Sequence, residues 1–343
     1  MSSTPLRLAL YTPQALNLPS QRIRLIEPLS YLRTPINVVV CSGFTAQGQY
    51  VVNDGGWQDC DVVIVQRNFP TAQTIDLVRR IAASGKRIIY ETDDAFQAIA
   101  LDHPKAFHRH NAPYIEECAR LAHTVVVSTE PLARFYADCS RVVVARNQLS
   151  PRLWSPNVVP PARVDSDQVC IALVGGNDHL DDFLLIREPL AALVCNPSVK
   201  WAGYGEGALK FLAALGAKNP VQVPPNYDYA SHPGRLAALG ADIALCPLQD
   251  SEFNRCKSDI KAIEFGWLGI PCVVSDLAPY ALTVTHEVRG LRCRDSSSWL
   301  AAMSRLVEDA DFRHRLGQAA QEYVHRERMI SVENNPWNQI LYG

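Results

Sequence analysis

Short apolar runs recur along the first part of the chain. Residues 7–11, 37–41, 61–66, 87–91, 124–128 and 141–145 are rich in Val and Ile and nearly all apolar. Runs of that length and composition fit strands covered on both faces. Helix-like periodicity falls between several of them, as at 72–84 and 114–122. Strands alternating with helices predict a parallel, doubly wound α/β sheet. The pattern breaks at 151–167, where Pro151, Pro156, Pro160 and Pro161 disfavour regular structure and predict a linker. It restarts with strands at 169–174, 199–202, 221–223, 243–246, 272–275 and 290–293. Helices are predicted at 183–194, 208–215, 232–239, 259–268, 297–307 and 311–328. The predicted organisation is two consecutive Rossmann-like halves, 1–150 and 168–328. The tail, 329–343, carries Trp337, Ile340, Leu341 and Tyr342 and is apolar enough to dock back on the first half.

Bulk composition narrows the function classes. The 343 residues suit two domains rather than one, and 48% hydrophobic content is ordinary for globular cores. Formal net charge is −2, from 33 basic and 35 acidic residues, which gives no strong signal for nucleic acid. The ten cysteines include no Cys-x-x-Cys pair, and several sit inside apolar runs. Such usage fits small buried side chains in a reducing compartment. The N-terminus has no long apolar region, and no stretch is long enough to span a bilayer. A cytoplasmic protein is expected, with any membrane contact peripheral, at the inner face.

The densest chemistry lies in residues 253–276. Ser258 is a suitable N-cap for the following helix, whose start offers unpaired N–H groups to phosphate oxygens. Lys257, Lys261 and Glu264 follow at spacings of four and three, on adjoining turns of one side. Cations for a diphosphate and a carboxylate for hydroxyl groups suit a sugar nucleotide. The plainer alternative is a surface ion pair between Lys261 and Glu264, worth a few tenths of a kcal/mol, about 0.2–0.5. Gly175 and Gly176, at the end of the 169–174 strand, permit close approach of a ligand or form a tight turn. His179 either binds phosphate or caps a turn. Gly203-Tyr204-Gly205-Glu206-Gly207 lacks the dinucleotide spacing, so no NAD is expected.

In the first half, Arg22 and Arg24 follow the first strand. Each is either a phosphate-facing guanidinium or part of a solvated helix start. Asp93 and Asp94 end the 87–91 run, where ligand crevices form; one could act as a general base or orient an acceptor, and one could cap a helix. Gln66, Arg67 and Asn68 end the neighbouring run. His103, His108 and His110 lack cysteine partners and regular spacing, which favours a solvated loop over zinc.

The segment Pro247-Leu248-x-Asp250-x-x-Phe253-Asn254-x-x-Lys257-Ser258-x-x-Lys261-x-x-Glu264, continuing into Gly269-Ile270-Pro271, resembles the donor site of GT-B glycosyltransferases, in particular the retaining family 4 and its relatives. The loop from Val174 to Asp182, residues 122–130, Pro224-Pro225-Asn226-Tyr227 and the 299–315 stretch are also similar to that family. The resemblance implies a GT-B fold, with two Rossmann-like domains facing a cleft. It implies transfer of a sugar from a nucleotide diphosphate sugar to a hydroxyl, with retention and without a cofactor or bound metal. The expected acceptor is a glycan, a lipid-linked molecule or another hydroxyl compound of cell-surface or polysaccharide synthesis. Donor-binding residues would be Gly175, Gly176, Asp250, Asn254, Lys257, Ser258, Lys261 and Glu264. Lys257, Asp93, Asp94 and Arg22 would serve catalysis, and Arg24, Arg67 and Asn68 the acceptor side. One departure stands out. Many relatives carry Glu-x7-Glu; Glu264 matches the second glutamate, but Cys256 replaces the first. Ribose binding carries over to Glu264, while the sugar contact falls to Asp250 or Asn254. A sugar-nucleotide epimerase and a non-catalytic nucleotide-sugar-binding subunit remain alternatives.

Overall fold

The computed structural model describes residues 5–157, 168–224 and 226–343. Most of the expected linker and Pro225 lie outside the described residues. The chain forms two units. The first comprises 1–148, the tripeptide 256–258 and the tail 330–343; the second comprises 149–255 and 259–329.

The first unit holds β1 (Leu6–Tyr11), β2 (Ile36–Val40), β3 (Ser42–Phe44), β4 (Tyr50–Val52), β5 (Val62–Gln66), β6 (Arg87–Thr92), β7 (Thr124–Val127) and β8 (Val142–Val144). Six strands form a sheet in the order β2-β1-β5-β6-β7-β8, with every pairing parallel. The order reverses between β1 and β5, so the loops after these strands diverge at their carboxyl ends. β5 is buried along its whole length, as its continuous apolar run demands. β3 and β4 form a separate antiparallel hairpin that the apolar pattern did not predict. Each has only three residues, too few for alternation to register. After β1, residues 19–29 run as one helical stretch with a π-turn over Arg22–Ile26. The tail packs on this unit: Trp337, Ile340 and Leu341 join Leu8, Leu10, Leu25 and Ile64 in one apolar cluster. Asn335 Nδ2 donates to the carbonyls of Pro28 and Tyr31, at 2.7 and 3.1 Å.

The second unit holds β9 (Val169–Val174), β10 (Val199–Tyr204), β11 (Val221–Val223), β12 (Ile243–Cys246), β13 (Cys272–Ser275) and β14 (Gly290–Cys293). Its sheet is parallel throughout, in the order β11-β10-β9-β12-β13-β14. The order reverses between β9 and β12. Side chains of β9 alternate between two cores, with Cys170 and Ala172 in one and Val169, Ile171 and Leu173 in the other. The helix expected over 183–194 is two helices, Leu180–Leu184 and Arg187–Leu193. Pro189 has no N–H and is accommodated in the first turn of the second one. All ten cysteines are free thiols and eight are buried, consistent with a packing role.

Candidate functional site

In each sheet, loops gather where the strand order reverses. The second unit builds the richer cluster there. β9 ends at Gly175 and Gly176, and the Gly175 N–H donates to the Tyr204 carbonyl at 2.9 Å. The Ala208 N–H, in the first turn of helix Glu206–Ala214, donates back to Gly175 O at 3.0 Å. A Cβ at Gly207 would lie 2.1 Å from Gly176 O, and Gly205 has φ +97°. The glycine-rich stretch therefore serves backbone-to-backbone packing behind the Gly175–Gly176 turn.

Lys261 extends to this turn. Its Nζ donates to Val174 O at 2.9 Å and lies 3.5 Å from His179 Nε2. His179 Nδ1 in turn lies 2.8 Å from the Asp182 carboxylate. Asp182 also accepts from the Gln249 N–H at 2.8 Å and from Asn254 Nδ2 at 2.9 Å. One buried carboxylate thus ties the loop after β9 to the loop after β12. Lys261, His179, Gly175 and Gly176 form a cationic corner at the carboxyl end of the sheet.

Glu264 sits one turn further along the helix Ile260–Trp267 and is buried. The Tyr229 hydroxyl donates to its Oε1 at 2.8 Å, and His232 Nε2 lies 3.2 Å from Oε2. Tyr229 receives Trp154 Nε1 at 3.3 Å, and its ring stacks on His232 with centroids 5.3 Å apart. The plainer alternative, a Lys261–Glu264 surface pair, does not form, because each side chain has other partners. Trp154, Tyr229, His232 and Asp182 were not singled out in the sequence as donor-site residues. Trp154, Tyr229 and His232 lie in no motif, and Asp182 only closes the family-like 174–182 loop. Folding brings Trp154, Tyr229 and His232 around Glu264, and Asp182 to His179 and Asn254.

Three expectations on residues 250–264 change. Ser258 is not the N-cap: the helix starts at Ile260 with Asp259 at the cap position and no side-chain cap bond. Asp259 is instead gripped by Arg328, at 2.5 and 2.9 Å, and by Thr283. Burial draws the Arg328 guanidinium down, but Asp259 outweighs it and holds the cation above its usual value. Lys257 and Ser258 precede the helix and group with the first unit, so Lys257 does not share the helix side of Lys261 and Glu264. Asp250 is exposed and paired with Arg255 at 2.6 and 2.8 Å. Asn254 is buried, with Nδ2 shared between Asp182 and Gln249 O.

In the first unit, the tripeptide 256–258 is held from both ends. Thr129 Oγ1 donates to Cys256 O at 2.8 Å, and Asn147 Nδ2 donates to Ser258 Oγ at 2.8 Å. Cys256 is buried. Asp93 and Asp94 both pair with Arg67, Asp94 at 2.8 Å. Arg67 has φ +53°, lies over the Phe96 ring at 5.1 Å, and directly follows β5 at the switch point. A non-glycine residue in this region marks a constrained site. Burial pushes the Asp94 carboxyl up, but Arg67, Lys105 and Lys257 together outweigh it and hold it below the ordinary aspartate value. An ionised Asp94 tied to cations is a counter-ion, which argues against its service as a general base. Asn68 Nδ2 is 2.9 Å from His108 Nδ1. His108 packs edge-on against Phe96, and burial, then Arg67 and Lys105, lowers its basicity. The solvated loop expected for the three histidines therefore does not hold at His108. Among the described residues no His, Cys, Asp and Glu cluster suits a metal.

Arg22 pairs with Glu27 at 2.5 Å. Arg24 lies inside the unit at 2% exposure: Nε meets Glu91 at 2.7 Å, and Nη1 meets Ala145 O at 2.5 Å and Asn147 Oδ1 at 2.7 Å. Neither a solvated helix start nor an acceptor-facing guanidinium describes it. Gln66, at the end of β5, donates to the same Glu91 at 2.9 Å and joins Thr12 and Gln21.

No protein-family model and no curated protein matches the sequence. Solved structures do match the fold. Sucrose-phosphate synthase from Thermosynechococcus elongatus superposes with TM-score 0.66 at 11% identity, over 97% of each chain. Anabaena HepE, solved in complex with UDP-glucose, gives 0.68 at 14% identity over 97% of each. TarM of S. aureus gives 0.61 at 12% identity, over 87% of this chain and 60% of its own. The chain has the GT-B fold, with the two Rossmann-like sheets expected of it.

Proposed function

We propose that the protein is a glycosyltransferase. It moves a sugar from a nucleotide diphosphate sugar to an acceptor hydroxyl, with retention, in the synthesis of a cell-surface glycan or polysaccharide. The observation that carries this reading is the cationic corner of the second unit: Lys261 beside His179 and the Gly175–Gly176 turn, at the switch point of a parallel sheet. Diphosphate oxygens suit that corner, and Glu264, held by Tyr229 and His232, offers a fixed carboxylate for ribose hydroxyls. The sugar contact falls to Asn254 rather than to Asp250, which Arg255 occupies.

UDP-glucose in HepE makes UDP-hexoses the first donors to try. Incubation with nucleotide sugars and a glycan acceptor panel, followed by mass spectrometry, tests the reading. Acceptor-dependent release of nucleoside diphosphate, lost in Lys261→Ala, is expected. Wild-type transfer by Lys261→Ala overturns the site, and conversion of the sugar without acceptor would identify an epimerase.

A further inference from the structure

We propose that Asp182 is the positioning residue of the donor site, aiming His179 and Asn254 and, through His179, Lys261. The proposal rests on the reading of that corner as a nucleotide diphosphate sugar site. Asp182 is 4% exposed, and a carboxylate there can only accept. Three donors converge on it: His179 Nδ1 on one oxygen, the Gln249 N–H and Asn254 Nδ2 on the other. Gln249 and Asn254 lie 67 and 72 residues along the chain, so a single side chain fixes two loops against each other.

Two consequences follow for ligand binding. With Nδ1 donating to Asp182, a neutral His179 ring carries its lone pair on Nε2, facing Lys261 Nζ. Val174 O and His179 Nε2 then define where the ammonium sits. On the other side, Asn254 Nδ2 is committed to Asp182 and Gln249 O. Its Oδ1 is buried and has no hydrogen-bond partner among the described residues. A buried acceptor of this kind is costly until a donor reaches it. A sugar hydroxyl is such a donor, which makes Asn254 the substitute for the glutamate that Cys256 displaces. Asparagine at 182 keeps one oxygen for Gln249 and Asn254 but turns its NH2 toward His179 Nδ1, which must then accept and carry its proton on Nε2, facing Lys261 Nζ.

Calorimetric titration with UDP, ADP, GDP and UDP-glucose tests this. Asp182→Asn and His179→Gln are each expected to weaken the tightest of these ligands by about tenfold or more, the loss of one hydrogen bond to a charged group. Because both act on one unit, the double variant should bind no more weakly than Asp182→Asn. Lys261 and Glu264 are unchanged in these variants, so a purely structural effect would show as a lowered melting temperature without this non-additivity. Wild-type affinity in Asp182→Asn, or losses that multiply, overturns the positioning role. If wild-type protein binds none of the four, the donor-site reading itself fails and takes the proposal with it. Should Asp182→Asn not fold, His179→Asn keeps an N–H for Asp182 and removes Nε2. It must still weaken binding, and unchanged affinity refutes the proposal.

Discussion

Replacing Arg24 by methionine separates a folding role from a ligand role. The guanidinium is 2% exposed, bonded to Glu91, Asn147 and the Ala145 carbonyl. Glu91 is 0% exposed, and its remaining side-chain donor is Gln66. Methionine fills much of the volume but leaves the Glu91 charge buried without its cation. Breaking one partner of a buried pair costs about 3–5 kcal/mol. For a unit of this size each kcal/mol lowers the melting temperature by roughly 2–4 °C, so a drop on the order of 10 °C is expected. Calorimetry or circular dichroism on heating reads it. The double replacement Arg24→Met with Glu91→Leu removes both charges together and should recover most of the loss, since apolar substitutes for a buried pair are often neutral. An unchanged melting temperature in Arg24→Met, with donor or acceptor binding lost, would refute the assignment and return Arg24 to the acceptor side.

Other perturbations follow from the same geometry. Arg328→Met frees the buried Asp259 carboxylate at the start of the Ile260–Trp267 helix; a loss of about 3–5 kcal/mol by denaturant titration is expected, and a loss under 1 kcal/mol would count against it. Asp94 is ionised more readily folded than unfolded, so its stabilisation is complete above the unfolded value of about 4 and fades as pH falls through the lower folded value. Asp94→Asn should therefore lose less stability than wild type between about pH 5 and pH 2, and equal losses would contradict the counter-ion role. Tyr229→Phe removes the hydroxyl that holds Glu264 and leaves Trp154 Nε1 without that partner. It should weaken nucleoside diphosphate binding several-fold, about 0.5–1.5 kcal/mol for one hydrogen bond, read by calorimetry.

The architecture was legible because parallel strands covered on both faces must be apolar, and such runs stand out at 61–66 or 169–174. The β3–β4 hairpin was not, because three-residue strands carry too little pattern. The residue types of 253–264 suggest a sugar-nucleotide site, yet the geometry of the segment depends on distant partners. Ser258 is claimed by Asn147, 111 residues away, and Asp259 by Arg328, 69 residues away. The sequence leaves Arg24 between a phosphate-facing guanidinium and a solvated helix start, because Glu91 and Asn147, which bury it, lie 67 and 123 positions off. Asp182 closes the Val174–Asp182 loop that resembles the family, but the sequence does not show the three donors that only folding brings to its carboxylate.

The central claim is that the second unit holds the diphosphate of a sugar nucleotide through Lys261 and its neighbours. Calorimetric titration of wild type and Lys261→Met with UDP, ADP and GDP tests it most directly. At least one of these should bind wild type measurably and Lys261→Met about tenfold or more weakly, with the inorganic sulfate control binding neither. Equal affinity of both proteins for every diphosphate, or no binding by wild type, would contradict it.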